Sequence, residues 1–255
     1  MSSESDESLA WPEIVTKIRA RTPARLIVGR SGAAYRTGTQ LELRAAHANA
    51  RDAVRAELDL EKHLGANFVN RWGLFEVCTR AKSKDDFLLR PPLGRSFSEA
   101  SRTDLLKRCH PTNNVQIAIG DGLSVAAISA QVPTLLPLLC EGAKARGFTV
   151  GQTFVIRHCR VGILNDIGEV LHPTVAILLI GERPGLATAV SLSAYLAYCP
   201  LVSHTDADRN LISNIHDRGV KAHAAATRIL NLVAQMMKAK GSGSQLREQS
   251  PALET

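Results

Sequence analysis

A carboxylate and a guanidinium stand side by side in the segment "GERPG" (181–185), between two glycines and next to a proline. These residues, Glu182 and Arg183, directly follow an apolar run, "TVAILLI" (174–180), which predicts a strand that is buried on both faces of a sheet. Glycine lets the backbone turn sharply or approach a ligand closely. Because a carboxylate accepts hydrogen bonds and a guanidinium donates them, this segment could bind a polar ligand.

A second glycine-rich segment, "GDGLS" (120–124), follows a second short apolar run, "VQIAI" (115–119), and carries the polar residues Asp121 and Ser124. In an open parallel sheet, ligands lie beyond the carboxyl ends of the strands, so two such loops at one edge predict a polar ligand site. The alternative is purely structural: Asp121 caps the following helix, and the two charges of "GERPG" form a surface pair without a ligand.

The apolar pattern predicts the elements that position these loops. A third β-branched run, "TFVIR" (153–157), predicts another strand, and helical patterns occupy residues 125–145 and 190–196. A last helix is predicted over residues 221–238. Strands that alternate with helices indicate right-handed crossovers and therefore a parallel, doubly wound sheet.

The first part of the chain, residues 1–98, has a helical pattern, with helices predicted over 11–21 and 39–64. In the second of these helices, apolar residues recur every three or four positions and predict one buried stripe, with the arginines on a solvated or partner-facing side. We therefore predict three regions: a helical N-terminal region, an α/β domain over residues 99–240, and a flexible tail over residues 241–255.

Composition limits the class of protein. The chain has 255 residues, 45% of them hydrophobic, and a net charge of +7, so it can bury its own core. The sequence shows neither the apolar run of about 18 residues that a membrane span needs nor a secretory signal, which predicts a cytoplasmic protein without membrane association. Basic residues are spread along the chain and only 4% of residues are aromatic, which disfavours nucleic-acid binding.

The cysteines and histidines do not predict a metal site. Five cysteines are scattered without a C-x-x-C pair, which indicates reduced packing residues. The pairs Cys109–His110 and His158–Cys159 could supply four ligands, but adjacent residues of a strand point to opposite faces and cannot easily share one ion.

The chain carries no familiar catalytic motif. The segments G-x-G-x-x-G, Walker A, H-E-x-x-H and G-x-S-x-G do not occur, so we predict no catalytic residue in this chain. The segment "SNIHDRG" (213–219) is one residue away from the D-x-H-x-x-G pattern by which some corrinoid proteins supply an axial histidine to cobalt. Asn214 stands where that pattern has an aspartate to orient the imidazole, so His216 is predicted to be a local hydrogen-bonding residue beside a helix start.

Several segments together resemble a known family. "VQIAIGDGLS", "FVIRHCRVGILNDIGEVL", "LLIGERPGL", "SLSAY" and "DADRNLISNIH" resemble, in this order and spacing, the small (light) subunit of ethanolamine ammonia-lyase. The likeness also includes "GRSGAAYRT" (29–37) and "LLRPPLGR" (88–95), and its most specific part is the block over residues 115–219. It implies a Rossmann-like module that is preceded by a helical N-terminal region.

The resemblance implies an adenosylcobalamin-dependent ammonia-lyase that converts ethanolamine to acetaldehyde and ammonia by a radical mechanism. Such an enzyme is a hetero-oligomer, active only with a large TIM-barrel subunit that binds the substrate. This chain would bind and cover cobalamin, between the open end of the barrel and the edge of its own sheet. The cofactor carries the difficult chemistry. The enzyme would lie in the cytoplasm, either free or inside a protein-shelled bacterial microcompartment.

The resemblance also implies cofactor-binding residues. These are Val161 of the "CRV" step, at the edge of the corrin, and Glu182 of "GERPG", whose carboxylate could accept hydrogen bonds from corrin amides or a ribose hydroxyl. Relatives have a cysteine just before "ISNIH", where this sequence has Leu211, so only a van der Waals or backbone contact is expected there. Arg160 and Arg183 are expected nearby, as orienting or partner-facing groups.

Two other functions stay open at this point. A stand-alone nucleotide-binding Rossmann module is disfavoured because the dinucleotide fingerprint is absent. A non-catalytic assembly subunit would form the complex but leave cofactor affinity unchanged when Glu182 is altered. In the complex that the resemblance implies, Arg44, Arg51 and Arg55 of the helical region are predicted to face the large subunit rather than nucleic acid.

Overall fold

The computed structural model describes residues 12–22, 26, 28, 30–246 and 248. The main strands are β3 (Glu76–Cys78), β4 (Val115–Gly120), β5 (Phe154–Arg157), β6 (Val175–Gly181), β7 (Leu192–Tyr198) and β8 (Asn210–Ile215). They form one six-stranded sheet in the order β3-β5-β4-β6-β7-β8. A separate antiparallel ribbon consists of β1 (Arg30–Ser31) and β2 (Ala34–Tyr35).

The sheet is mixed rather than wholly parallel. β3, β5, β4 and β6 run parallel, which confirms the α/β class and the three predicted strands. β7 and β8 run antiparallel to their neighbours, so the prediction of a parallel sheet is wrong at this edge. The helix predicted over residues 190–196 is also wrong, because these residues lead into and form β7. Residues 182–191 are too few for a crossover, which needs about a dozen residues, so the chain returns directly beside β6.

Helices cover both faces of the sheet and create two hydrophobic cores. Alternate residues of β4 enter the two cores: Ile117 and Ile119 contact one, and Ala118 contacts the other. The covering helices are α7 (Val125–Ala145) and α9 (Ala222–Ala239) on the first face, and α6 (Glu99–Arg108) and α8 (Ile163–Leu171) on the second.

The helix α7 confirms the prediction over residues 125–145. By length and composition it is the one helix in the described part of the chain that could cross a membrane. Ten of its residues are nevertheless buried, against the sheet and α9. Ser124 caps its first turn by accepting a hydrogen bond from the backbone N–H of Ala127 at 3.2 Å. In this fold α7 is therefore a core helix.

The N-terminal helices are α1 (Glu13–Arg21), α2 (Thr37–Arg55), α3 (Leu60–Leu64), α4 (Ala66–Trp72) and α5 (Lys84–Leu89). The helix predicted over residues 39–64 is interrupted, because α3 begins anew with Asp59 accepting from the Lys62 N–H at 3.0 Å. The predicted buried stripe is correct only in part: Leu58 is buried in the core, whereas the stripe positions within α2, Leu43, Ala46, Ala50 and Val54, are half-buried and no residue of α2 is fully buried. Trp11, where the first helix was predicted to begin, lies outside the described residues.

Several contacts cross the predicted region boundaries. β3 lies before residue 98 and pairs with β5, so the N-terminal region contributes one edge strand to the sheet. Within the predicted tail, Ser242 accepts from the Tyr198 N–H at 2.9 Å and donates to the Asp208 carbonyl at 2.6 Å. Glu248 forms an ion pair with Arg228 at 2.7 Å.

Candidate functional site

The two glycine-rich loops meet at the carboxyl ends of β4 and β6, which pair side by side. The Leu123 N–H donates to the carbonyl of Gly181 at 3.1 Å. A Cβ on Gly122 would lie 2.3 Å from the Gly181 carbonyl oxygen, and Gly122 has a positive φ of 55°. Only glycine permits this close approach, which confirms that the two loops converge at one edge of the sheet.

A cleft of about 340 Å³ opens beside these loops. It brings together the three residues that the sequence analysis selected, Val161, Glu182 and Leu211, and also Arg160 and Arg183. The other residues that line it are Gly122, Leu123, Cys159, Ile180, Gly181, Ser193, Tyr195 and Ser213.

The carboxylate of Glu182 is held in place by its neighbours. Its Oε1 accepts hydrogen bonds from Ser193 Oγ at 2.7 Å and from the Asn214 N–H at 2.8 Å. Its own N–H donates to the Ser191 carbonyl at 3.0 Å. Oε2 receives no hydrogen bond from the residues that the structure describes, so one oxygen of a fixed carboxylate can accept from a ligand.

Asp121 is fully buried and organises the turn that carries Val161. Its carboxylate accepts from the backbone N–H groups of His158 at 2.9 Å and Cys159 at 2.8 Å. Burial raises the pKa of the Asp121 carboxyl, against the opposing effects of Lys84 and of these two donors. Both roles that the sequence suggested for Asp121, a ligand contact and a helix cap, are therefore wrong.

Arg160 follows this turn and carries a positive charge at the wall of the cleft. Its guanidinium lies 4.1 Å from the centre of the Phe87 ring and donates to the Phe87 carbonyl at 3.1 Å. Burial lowers the pKa of Arg160, and the nearby charges of Arg183 and Arg95 lower it further. Arg160 thus lies close to two other positive charges, those of Arg183 and Arg95, and this arrangement favours an anionic or electron-rich ligand.

Strand pairing explains how Leu211 reaches the cleft. Tyr195 in β7 lies opposite Leu211 in β8, and Ser193 and Ser213 lie two residues away on the same strands. Leu211 is 46% exposed, so a large apolar side chain is left open at the cleft. Ser193 and Tyr195 were not predicted as site residues, although the alternation in "SLSAY" indicates them once this segment is interpreted as a strand.

His216 lies in the turn after β8, and not at a helix start as predicted. It is buried, its Nδ1 accepts from the Arg218 N–H at 3.3 Å, and its Nε2 lies 2.7 Å from Asn214 Oδ1. Both ring nitrogens are therefore used locally, which confirms the predicted hydrogen-bonding role. Among the described residues, no group of three or more His, Cys, Asp and Glu side chains could hold a metal ion.

Comparison with known proteins identifies the family. The family described as "Ethanolamine ammonia-lyase light chain (EutC)" matches residues 12–247. This chain belongs to the ethanolamine ammonia-lyase light-chain family. The match covers both glycine-rich loops and every residue of the cleft, and it confirms the resemblance that the sequence motifs indicated.

Similar curated proteins carry the name ethanolamine ammonia-lyase small subunit. The protein from Clostridium perfringens is 41% identical over 92% of this chain and 78% of its own length. The proteins from Fusobacterium nucleatum and Clostridium acetobutylicum are 42% and 40% identical, over 91% and 92% of this chain and 76% and 95% of their own lengths. This light chain is therefore a subunit of an ammonia-lyase that works in a complex with a large subunit.

Proposed function

We propose that this light chain binds and covers adenosylcobalamin in ethanolamine ammonia-lyase, while a large TIM-barrel subunit binds ethanolamine. The observation that carries the proposal is the meeting of Val161, Glu182 and Leu211 in one cleft at the carboxyl edge of the sheet. These residues lie far apart in the sequence. Their convergence supports a shared ligand rather than three separate structural roles.

The side chains in the cleft fit the chemistry of a corrinoid. The rim of the corrin ring carries amide groups, which can donate hydrogen bonds to Oε2 of Glu182. Val161 and Leu211 offer apolar surface for the edge or face of the ring, and Leu211 is exposed enough to make such a contact. Tyr195 and the neighbouring serines add hydroxyl groups beside the carboxylate.

The open cleft also fits a division of labour between the two subunits. A cleft of about 340 Å³ encloses only part of so large a cofactor, so the large subunit has to cover the remainder. When it is bound, adenosylcobalamin supplies the radical chemistry that releases ammonia and acetaldehyde from ethanolamine. The residues of this chain hold the cofactor in place and exclude water.

The proposal also covers the domain architecture of this chain and the location of the enzyme in the cell. The parallel strands with helices on both faces support a Rossmann-like cofactor-binding domain over residues 99–240, to which β3 of the N-terminal region adds an edge strand. The enzyme acts in the cytoplasm, free or enclosed in a protein-shelled microcompartment.

Activity should need both subunits, because the cleft offers groups that bind and orient a ligand rather than a nucleophile with its own base. The light chain, the large subunit and their mixture are each incubated with adenosylcobalamin and ethanolamine, and the release of acetaldehyde is measured. We expect turnover from the mixture alone. Turnover by the isolated light chain would contradict the proposal, as would full turnover by the large subunit without it.

A further inference from the structure

A second and larger cavity, of about 820 Å³, adjoins the first cleft. The two share four wall residues, Arg160, Val161, Tyr195 and Leu211. A ligand whose body lies in the first cleft can therefore extend a side arm into the second without leaving the surface of the chain.

Three arginines, Arg95, Arg160 and Arg209, line this second cavity. Arg209 is almost completely buried, with 5% of its side chain exposed, and it contacts the carboxylate of Asp206 and the Oδ1 of Asn165. The Nε atoms of Arg160 and Arg209 are both buried and have no hydrogen-bond partner among the described residues. The guanidinium groups are thus only partly satisfied by the protein.

The two carboxylates of the cavity already have partners. Asp166 accepts from the Phe97 N–H at 2.6 Å and from the guanidinium of Arg102, and Asp206 pairs with Arg209. By contrast, Arg95 and Arg160 form no ion pair with a carboxylate of the described residues. The cavity therefore keeps unneutralised positive charge at the wall that it shares with the first cleft.

Two glycines make room for these arginine side chains. A Cβ on Gly94 would lie 2.7 Å from Cγ of Arg160 and 2.7 Å from the backbone oxygen of His158. A Cβ on Gly162 would lie 2.9 Å from Cγ of Arg95. Gly94 and Gly162 thus allow two arginines from separate loops to pack closely beside one another, even though like charges repel.

We propose that this arginine-lined cavity binds the phosphodiester of the nucleotide arm of the corrinoid whose ring lies in the first cleft. This inference rests on the proposed function of the first cleft. A guanidinium is planar and presents its donors in a fork that matches phosphate oxygens, so neighbouring arginines suit a phosphodiester better than a neutral amide.

The pKa directions of two of these arginines agree with a site for an anion. Burial lowers the pKa of Arg209, and Arg95 adds to this effect, while Asp206 opposes it. Burial, Arg183 and Arg95 likewise lower the pKa of Arg160. A bound phosphodiester would bring a countercharge to Arg160, which has no carboxylate partner among the described residues, and would add to that of Asp206 beside Arg209.

The test compares two corrinoids on the reconstituted complex of light and large subunits. Cyanocobalamin carries the phosphodiester, and cobinamide, which ends before the nucleotide, does not. Equilibrium binding of each corrinoid is measured by ultrafiltration, and cobinamide is also measured by its competition with cyanocobalamin. The proteins compared are the parent, Arg95→Gln, Arg95→Lys and Arg160→Gln. Arg80→Gln is the control, because Arg80 is exposed and lies outside the walls of both cavities.

We expect Arg95→Gln to weaken cyanocobalamin binding by roughly tenfold and to leave cobinamide binding unchanged. Arg160 lines both cavities, so Arg160→Gln should weaken the binding of both corrinoids, and that of cyanocobalamin more. Arg95→Lys should lose less, since it keeps the charge, and Arg80→Gln should match the parent. In the parent, inorganic phosphate should weaken cyanocobalamin binding more than chloride does at equal ionic strength. Equal losses of cyanocobalamin and cobinamide binding in Arg95→Gln would overturn the inference.

Glu182→Gln separates this inference from the proposed function. If Glu182→Gln weakens binding of both corrinoids while the arginine variants weaken neither, the first cleft holds the ring and the phosphodiester site is wrong. If no variant changes the binding of either corrinoid, both proposals are wrong. If Arg95→Gln prevents co-elution with the large subunit but leaves cofactor affinity intact, the cavity receives an acidic segment of the partner, and the phosphodiester assignment is again wrong.

Discussion

The helices α2 and α7 are similar in length, yet they relate to the rest of the chain in opposite ways. α7 has 21 residues and buries ten of them, whereas α2 has 19 residues and buries none. Both contain several alanines and have apolar residues at helical spacing. An amphipathic pattern therefore predicts that a helix has an apolar side, but it does not predict which surface covers that side.

The position of α2 near the candidate site gives this difference a functional meaning. His47, Arg51 and Arg55 of α2 line a cavity of about 480 Å³ together with Arg160 and Arg183. The basic side of α2 therefore borders the same arginine-rich edge as the first cleft. We interpret α2 as a surface for the large subunit, and α7 as part of the fold itself.

The largest expected effect is on stability, from truncating one leucine in each helix. Leu135 in α7 is fully buried, and Leu41 in α2 is 58% exposed. Leu135→Ala should lower the free energy of unfolding by about 2–5 kcal/mol because it leaves a cavity, and Leu41→Ala by no more than about 0.5 kcal/mol. Urea denaturation of the light chain alone measures both. Similar losses would show that α2 belongs to the core.

A smaller effect, on assembly rather than folding, should follow from reversing the charges of α2. The triple variant Arg44→Glu, Arg51→Glu and Arg55→Glu should weaken binding to the large subunit by roughly tenfold or more, since it opposes any complementary charge on the partner. It also removes the ion pair of Arg55 with Asp85, which is exposed and contributes little to stability.

A matched control changes net charge by the same amount elsewhere. Its reversed residues are exposed and lie near the ends of other helices: Lys107, Lys144 and Lys238. Subunit affinity is measured by size-exclusion co-elution and calorimetry. Equal weakening of subunit affinity by both triple variants would indicate a general charge effect. Loss of RNA binding with intact assembly would show that the arginines of α2 bind nucleic acid rather than the large subunit.

The sequence predicted the parts of the site that depend on local pattern. Buried β-branched runs followed by glycine are a short-range signal, so the strands β4 and β6 and their loops were predictable. The predicted helix at β7 was wrong because Ser and Ala are frequent in that segment and do not favour strands. Pairing with β6 along its whole length overrides this local preference, and such pairing is not visible in the sequence.

Other features of the site depend on tertiary contacts and were missed for that reason. Asp121 was predicted to lie beside a ligand, whereas it turns inward to bind the backbone of residues 158 and 159. Arg95 and Arg209 come from loops that are distant in the sequence and meet only in the second cavity. The choice of Val161, Glu182 and Leu211 rested on the family resemblance, and the structure brings these three residues into one cleft.

The central claim is that this chain contributes directly to cofactor binding, and Glu182 tests it most directly. Cobalamin affinity of the reconstituted complex is measured for the parent, Glu182→Gln, Glu182→Ala and the control Glu141→Gln, an exposed carboxylate on α7. Circular dichroism and co-elution verify folding and assembly. Glu182→Gln should weaken binding by roughly tenfold, because the charge-assisted part of the hydrogen bond is lost, and Glu182→Ala should weaken it further. Parent-like cobalamin affinity in both variants would contradict the claim and would assign Glu182 to loop architecture or to the subunit interface.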